Sequence, residues 1–305
     1  GELRGVRATA ASMRQFLVEP LDADVLVLAQ RQLADDEERL ELLRECFGPR
    51  LVHSELYEKP RPQDFFGQAP FEEMSRLRGN WLNPGNAQVI MNHVMLGDLL
   101  GERGLLESYQ LLVFTRADLL HLLPFPSAAE LWEAVGKGGL LTQAGHEFGG
   151  VNYNLAALAS GRQACHYLCG LRRLLEEGVR SRMSEKRTWN IERFFSKVCK
   201  HHSLPNLRMS ATCFITAESQ GDRTTWRSIR SCPKRGVNFK YEQQMKEAYR
   251  SLELWAACPR WAVHRPPRRM FVAEEHGQGE RPFALLLRQA LQVDLADGSG
   301  PLSAA

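Results

Sequence analysis

Tyr109-Gln-Leu-Leu-Val-Phe-Thr-Arg-Ala-Asp118 is the stretch on which the reading of this chain turns. Its apolar run, Leu111 to Phe114, fits a buried strand, and the run stops abruptly in charged side chains. Further on comes Gly145-His-Glu-Phe-Gly-Gly-Val-Asn152, a glycine-hinged loop carrying a histidine and an acid. In an open α/β sheet, ligands gather at the carboxyl ends of the strands. A lone carboxylate at such an end, Asp118, is therefore a candidate to face a ligand, directly or through a metal ion.

Around this strand the pattern alternates. Thr9 to Val18 reads as an amphipathic helix ended with the help of Pro20. Asp24 to Ala29 reads as a buried strand. Ala34 to Phe47 is a second helix, with Asp35, Asp36 and Glu37 at the end where the dipole favours negative charge. Gly48-Pro49 stops it, and Arg50 to Ser54 is the next strand. Lys59 to Pro70, with three prolines, reads as an irregular loop. Asn86 to Ser108 is helical with a break near Gly101, and Ser127 caps a helix to Val135. Gly139 to Thr142 is a short strand. Helices are expected from Leu155 to Gly178 and from Asn190 to His202, and a strand from Met209 to Thr216. An amphipathic segment lies around Phe283 to Leu291. Alternating strands and helices imply an α/β layer architecture with a mainly parallel sheet. The expected division is one domain over residues 1–258 and a less regular extension over 259–305.

Bulk properties exclude some functions. A hydrophobic content of 44% and a charged content of 25% suit a globular chain. The net charge of +3 is too small to argue for a nucleic-acid partner, and the basic run from Arg260 to Arg269 reads as a solvated loop. No apolar run approaches the ~18 to 20 residues that span a bilayer. The chain opens on Gly1 rather than Met, so location is open: cytoplasmic, or the Golgi lumen if an anchor has been removed. Seven cysteines, an odd number, favour reduced thiols. Cys165 and Cys169 share a helix face around His166, where core packing outweighs zinc.

Three groups of residues can carry chemistry. Arg116 and Asp118, two apart in extended chain, share a side. The carboxylate can hold Mg²⁺ or Mn²⁺, the arginine can hold phosphate, or the two can simply pair. In the glycine loop, His146 or Glu147 can act as a base or hold a sugar hydroxyl, and the paired glycines permit close approach to a ligand. Gln88, Asn92 and His93 lie close to one helical face. They either point into a cleft or form the polar side of a surface helix. Gly136-Lys-Gly-Gly139 lacks the spacing of a phosphate loop. His201-His202 suits a helix end.

Several stretches together resemble a GT-A-like glycosyltransferase family of microbes and algae, over roughly residues 1–250. Gly1-Glu-Leu-Arg-Gly-Val-Arg7 looks like its first turn, and Pro20-Leu-Asp-Ala-Asp-Val25 like the entry to its next strand. Tyr109 to Asp118, Leu123-Pro-Phe-Pro126 and His146 to Asn152 are similar to its central motifs. Cys213-Phe-Ile-Thr216, Thr225-Trp-Arg227 and Phe239-Lys-Tyr241 are similar to its closing pattern.

The resemblance implies a Rossmann-like GT-A fold and transfer of a sugar from a nucleoside-diphosphate sugar, UDP-sugar favoured, to a glycan or other hydroxyl acceptor. It places Arg4, Arg7 and Arg116 at the nucleotide and phosphates. Asp118 falls at the metal, Mg²⁺ or Mn²⁺. His146, Gly149, Gly150 and Asn152 fall at the donor sugar and acceptor, with Glu147 as the base. Arg116 stands where the family's metal motif has its first acid, and Tyr153 where the family often has aspartate. Those departures keep a second expectation open: an inactive nucleotide-sugar or glycan-binding protein of the same fold.

Overall fold

The computed structural model describes residues 3, 5–31, 34–77, 84–143, 150–176, 189–209, 214–216, 218–220, 223–225 and 263–264. Helix α1 (Val6–Met13) continues through a π-helical turn, Arg14–Val18, into α2 (Glu19–Leu21). Then follow β1 (Val25–Gln30), α3 (Asp36–Phe47), β2 (Leu51–Tyr57), α4 (Pro62–Phe66), α5 (Gln68–Ser75), α6 (Pro84–Glu102) and α7 (Leu105–Ser108). After these come β3 (Leu111–Phe114), β4 (Leu119–His121), α8 (Ala128–Val135), β5 (Leu140–Gln143), β6 (Ala156–Ala159), α9 (Arg162–Glu176) and α10 (Ile191–His201). Strands β7 (Asn206–Met209), β8 (Phe214–Thr216), β9 (Glu218–Gln220), β10 (Arg223–Thr225) and β11 (Val263–His264) complete the order.

The α/β class stands. The largest sheet has the order β11-β7-β5-β6-β3, and β1 pairs with β2 in parallel beside it. Strands β3 and β5 are each antiparallel to β6, so both run the same way, and β7 is parallel to β5. The common direction expected of a parallel sheet thus holds for β3, β5 and β7, while β6 lies reversed between two of them and makes the sheet mixed. Strand β11 pairs antiparallel with β7 at Val263↔Met209.

Alternation along the strands sorts side chains into two layers. Leu112, Phe114, Leu140, Ala156 and Leu158 join a core with α6, α9 and α10. Leu111, Val113, Leu141, Ala157 and Met209 join a second core with α1, α3 and α8. The result is a three-layer sandwich whose sheet is covered on both faces. Close crossing is allowed by small residues. A Cβ on Gly97 would meet Leu168 Cβ at 2.9 Å, so α6 presses directly on α9.

Two expectations are corrected. Lys59 to Pro70 is not one irregular loop: Pro62 sits at the start of α4, where a missing N–H costs nothing, and α5 follows after Gly67. The expected helix from Leu155 begins instead with β6, Ala-Ala-Leu-Ala, buried throughout. Alanine favours helix locally, but its small side chain also fits a strand squeezed between two helical layers, and the tertiary setting wins. Ser127 does cap α8, with Glu130 closing a reciprocal capping box. Strand β3 is half-buried rather than fully buried, because it is the last strand of its sheet. Among the described residues, no helix is long and apolar enough to cross a membrane.

Candidate functional site

Strands β3 and β5 end level with one another on either side of β6. Phe114 and Thr142 both lie opposite Ala156, the first residue of β6. The two strand ends are therefore separated by two strand spacings, on the order of 10 Å, and the chain at 152–155 enters β6 between them.

At the end of β3, Arg116 and Asp118 form a two-pronged ion pair, Nε to Oδ1 at 2.9 Å and Nη2 to Oδ2 at 2.5 Å. Arg116 Nη1 also donates to Asn154 Oδ1 at 2.9 Å. Asn154 in turn donates, from its side chain at 3.0 Å and its backbone at 3.1 Å, to Asn152 Oδ1. One relay thus ties the strand end to the segment that follows the glycine loop. The pairing alternative raised by the two-residue spacing is the one the structure adopts. The hydroxyl of Thr9 in α1 donates to the Ala117 carbonyl, holding the turn from the other side.

Three buried polar atoms at or just after strand ends have no hydrogen-bond partner among the described residues: Gln30 Oε1 at the end of β1, Thr115 Oγ1 after β3 and Gln143 Oε1 at the end of β5. Such an atom costs about 1–3 kcal/mol unless something satisfies it, so each marks a place where a water or ligand is owed. By alternation from Val113 and Leu141, Thr115 and Gln143 face the same layer. Sequence reasoning missed all three and also Asn154, although Asn152-x-Asn154 has the same two-residue spacing as Arg116-x-Asp118.

The other expected residues fall as follows. Arg4, His146, Glu147 and Gly149 lie outside the described residues. Arg7 is bound to Glu38 at 2.9 Å and Asp35 at 3.3 Å, at the first turn of α3. Its guanidinium pKa is raised, chiefly by the Glu38 hydrogen bond. Asn152 is buried and acts as the acceptor described above. Gly150 packs against backbone: a Cβ there would lie 2.0 Å from the Glu192 carbonyl, and Val151 N donates to that same oxygen at 2.9 Å. Glycine is thus required at 150 by contact with α10, independently of any sugar. Gly150→Ala is expected to destabilise the fold by about 1–3 kcal/mol through overpacking, read from the midpoint of urea unfolding; an unchanged midpoint would refute the contact.

Glu192, half-buried beside this turn, has its pKa raised by burial. Gln88 and Asn92 do converge, with the amide of Gln88 donating to Tyr57 Oη at 2.9 Å and to Asn92 Oδ1 at 2.7 Å. His93 turns elsewhere, between the rings of Tyr167 and Phe195. Cys165 is exposed rather than packed in the core, and His202 follows the last residue of α10 as its cap.

A divalent cation at Asp118 needs a carboxylate oxygen to bind it. Here each oxygen of Asp118 accepts a hydrogen bond from Arg116. Among the described residues, no group of three His, Cys, Asp or Glu side chains is placed to hold an ion. A cation at Asp118 would share these oxygens with Arg116.

The chain matches no protein-family profile and no curated protein. Among solved structures it is similar to mouse xyloside xylosyltransferase 1 in its apo form, at 11% identity and a TM-score of 0.37, over 66% of this chain and 79% of that one. The likeness is too distant for a function to be transferred across it.

Proposed function

We propose that this chain is a glycosyltransferase, moving a sugar from a nucleoside-diphosphate sugar, a UDP-sugar by preference, to a hydroxyl acceptor. One observation carries the reading: at the end of β3 a paired arginine and carboxylate is joined to two asparagines, and the buried oxygens of Thr115 after β3 and Gln143 at the end of β5 have no hydrogen-bond partner among the described residues. An orienting ligand site needs a few polar groups, and the strand ends are where an α/β sheet places such a site. The chemistry asked of the site is to stabilise a departing diphosphate while the acceptor hydroxyl attacks the anomeric carbon. Glu192 is the described group with the pKa direction suited to taking that proton.

The test is a thermal-shift panel of nucleotide sugars and free nucleoside diphosphates on the full chain. A ligand that binds only the folded state raises the melting temperature by mass action. A shift with one donor class is expected, and a flat panel would overturn the proposal. A second reading, a non-catalytic nucleotide-sugar or glycan-binding protein, is favoured by the engagement of Asp118 with Arg116. It predicts the same shift without release of nucleoside diphosphate.

A further inference from the structure

We propose that Cys165 and Cys169 form a two-sulfur binding site for a soft monovalent metal ion, Cu(I), on one face of α9. None of the strand-end residues takes part, so this site stands or falls separately from the transferase reading.

One helical turn apart, the two thiols lie on the same side of α9 and share a hydrogen bond. Cys165 is exposed and Cys169 half-buried, so an ion can reach the pair from solvent. On the inner side α6 closes against it: a Cβ on Gly97 would lie 3.2 Å from the Cys169 sulfur. The helix itself disfavours a disulfide here. Cβ atoms one turn apart are separated by about 5–6 Å, whereas a disulfide needs about 3.5–4.5 Å. Closing that gap would unwind a turn that the α6 crossing at Gly97 holds in place. An ion between the sulfurs spans the gap with the backbone unmoved. The ligand set then selects the ion. Thiolates favour soft metals, Cu(I) among them. Zinc takes four ligands, and among the described residues no third His, Cys, Asp or Glu joins the pair. Two neighbours are engaged elsewhere: Asp98 accepts from Arg172 at 2.8 and 3.2 Å, and the His166 ring stacks on that of His202, centroids 4.7 Å apart. Cu(I) is satisfied by two thiolates in line. On binding, each S–H bond gives way to a sulfur–copper bond, two protons leave to solvent, and the loaded pair carries one net negative charge. Burial raises the Cys169 pKa to about 11 while the Arg172 guanidinium acts against it, so the pair is held as thiols at neutral pH. Affinity must therefore rise with pH.

The experiment is anaerobic titration of the full chain with Cu(I) in competition with the chelator bicinchoninate, followed by X-ray absorption on the loaded protein. One ion per chain with two sulfur neighbours is expected. Its affinity should rise by about 100-fold per pH unit near neutrality, because two protons are displaced. Cys165→Ser, a change at an exposed position, and Cys169→Ser should each abolish competition with the chelator, while Cys46→Ser should leave it unchanged. Far-ultraviolet dichroism checks that each variant is folded. Copper held with unchanged affinity by both the Cys165 and Cys169 variants would overturn the assignment, since the ion would then sit on other cysteines. Nitrogen ligands, or more than two sulfurs, around the bound ion would overturn it equally. So would a wild-type chain that takes no copper from the chelator.

Discussion

Between pH 7 and pH 4.5 this protein is expected to lose about 2–3 kcal/mol of folding stability through one side chain, His121. Its ring is fully buried in β4 against Phe214, and neither ring nitrogen has a hydrogen-bond partner among the described residues. Burial alone drives its pKa down to about 4, from an ordinary 6.5. The sign follows from proton binding. Between those values the unfolded chain takes up a proton that the folded chain refuses, so stability is complete above about pH 6.5 and drains away as pH falls toward 4. In full this corresponds to roughly 3 kcal/mol, against a total stability of about 5–15 kcal/mol for a typical domain. His93 is also held down to about 4, chiefly by burial, and adds an increment of the same sign. Urea titrations at pH 7, 5.5 and 4.5 measure the slope. His121→Leu, close in volume, should be more stable at pH 7 by about 1–3 kcal/mol, because two unpaired nitrogens leave the core. It should also show a shallower fall in acid than the wild type. Parallel slopes for the two proteins would show that His121 is not the group responsible.

The reach of the sequence was uneven for physical reasons. Strand β3 and its abrupt charged end were legible, because an apolar run followed by Thr115, Arg116 and Asp118 has one economical reading. The cap of α8 and the break after α6 were legible for the same local reason. Strand β6 was not, since its identity is fixed by Leu111–Phe114 on one side and Leu140–Thr142 on the other rather than by its own alanines. The reversed direction of that strand was equally invisible, and with it the mixed character of the sheet. In the site, the side shared by Arg116 and Asp118 could be read from spacing, whereas the link to Asn154 spans 38 positions and has no local signature. Gly150 shows the converse: a glycine pair reads as a ligand loop in sequence, yet at this position its small size serves contact with Glu192.

Asp118→Asn is expected to reduce donor turnover by about 10²- to 10³-fold, the usual cost of losing one well-placed electrostatic contributor to the transition state. Release of nucleoside diphosphate measures this, with far-ultraviolet dichroism unchanged. On the proposed reading, the loss arises because the amide can no longer hold both guanidinium prongs and Arg116 gains freedom. A structural strap would make the same static contacts, so the separating variant is the exchange of partners, Arg116→Asp with Asp118→Arg. Exchange keeps one cation and one anion at this strand end but moves the guanidinium two residues along the chain. If the pair is only a strap, the doubly exchanged protein should regain both stability and turnover relative to either single change. If Arg116 supplies charge to the diphosphate, stability should recover while turnover stays low, because the cation now stands two residues from its native place. Recovery of turnover in the exchanged protein would remove Arg116 from the chemistry.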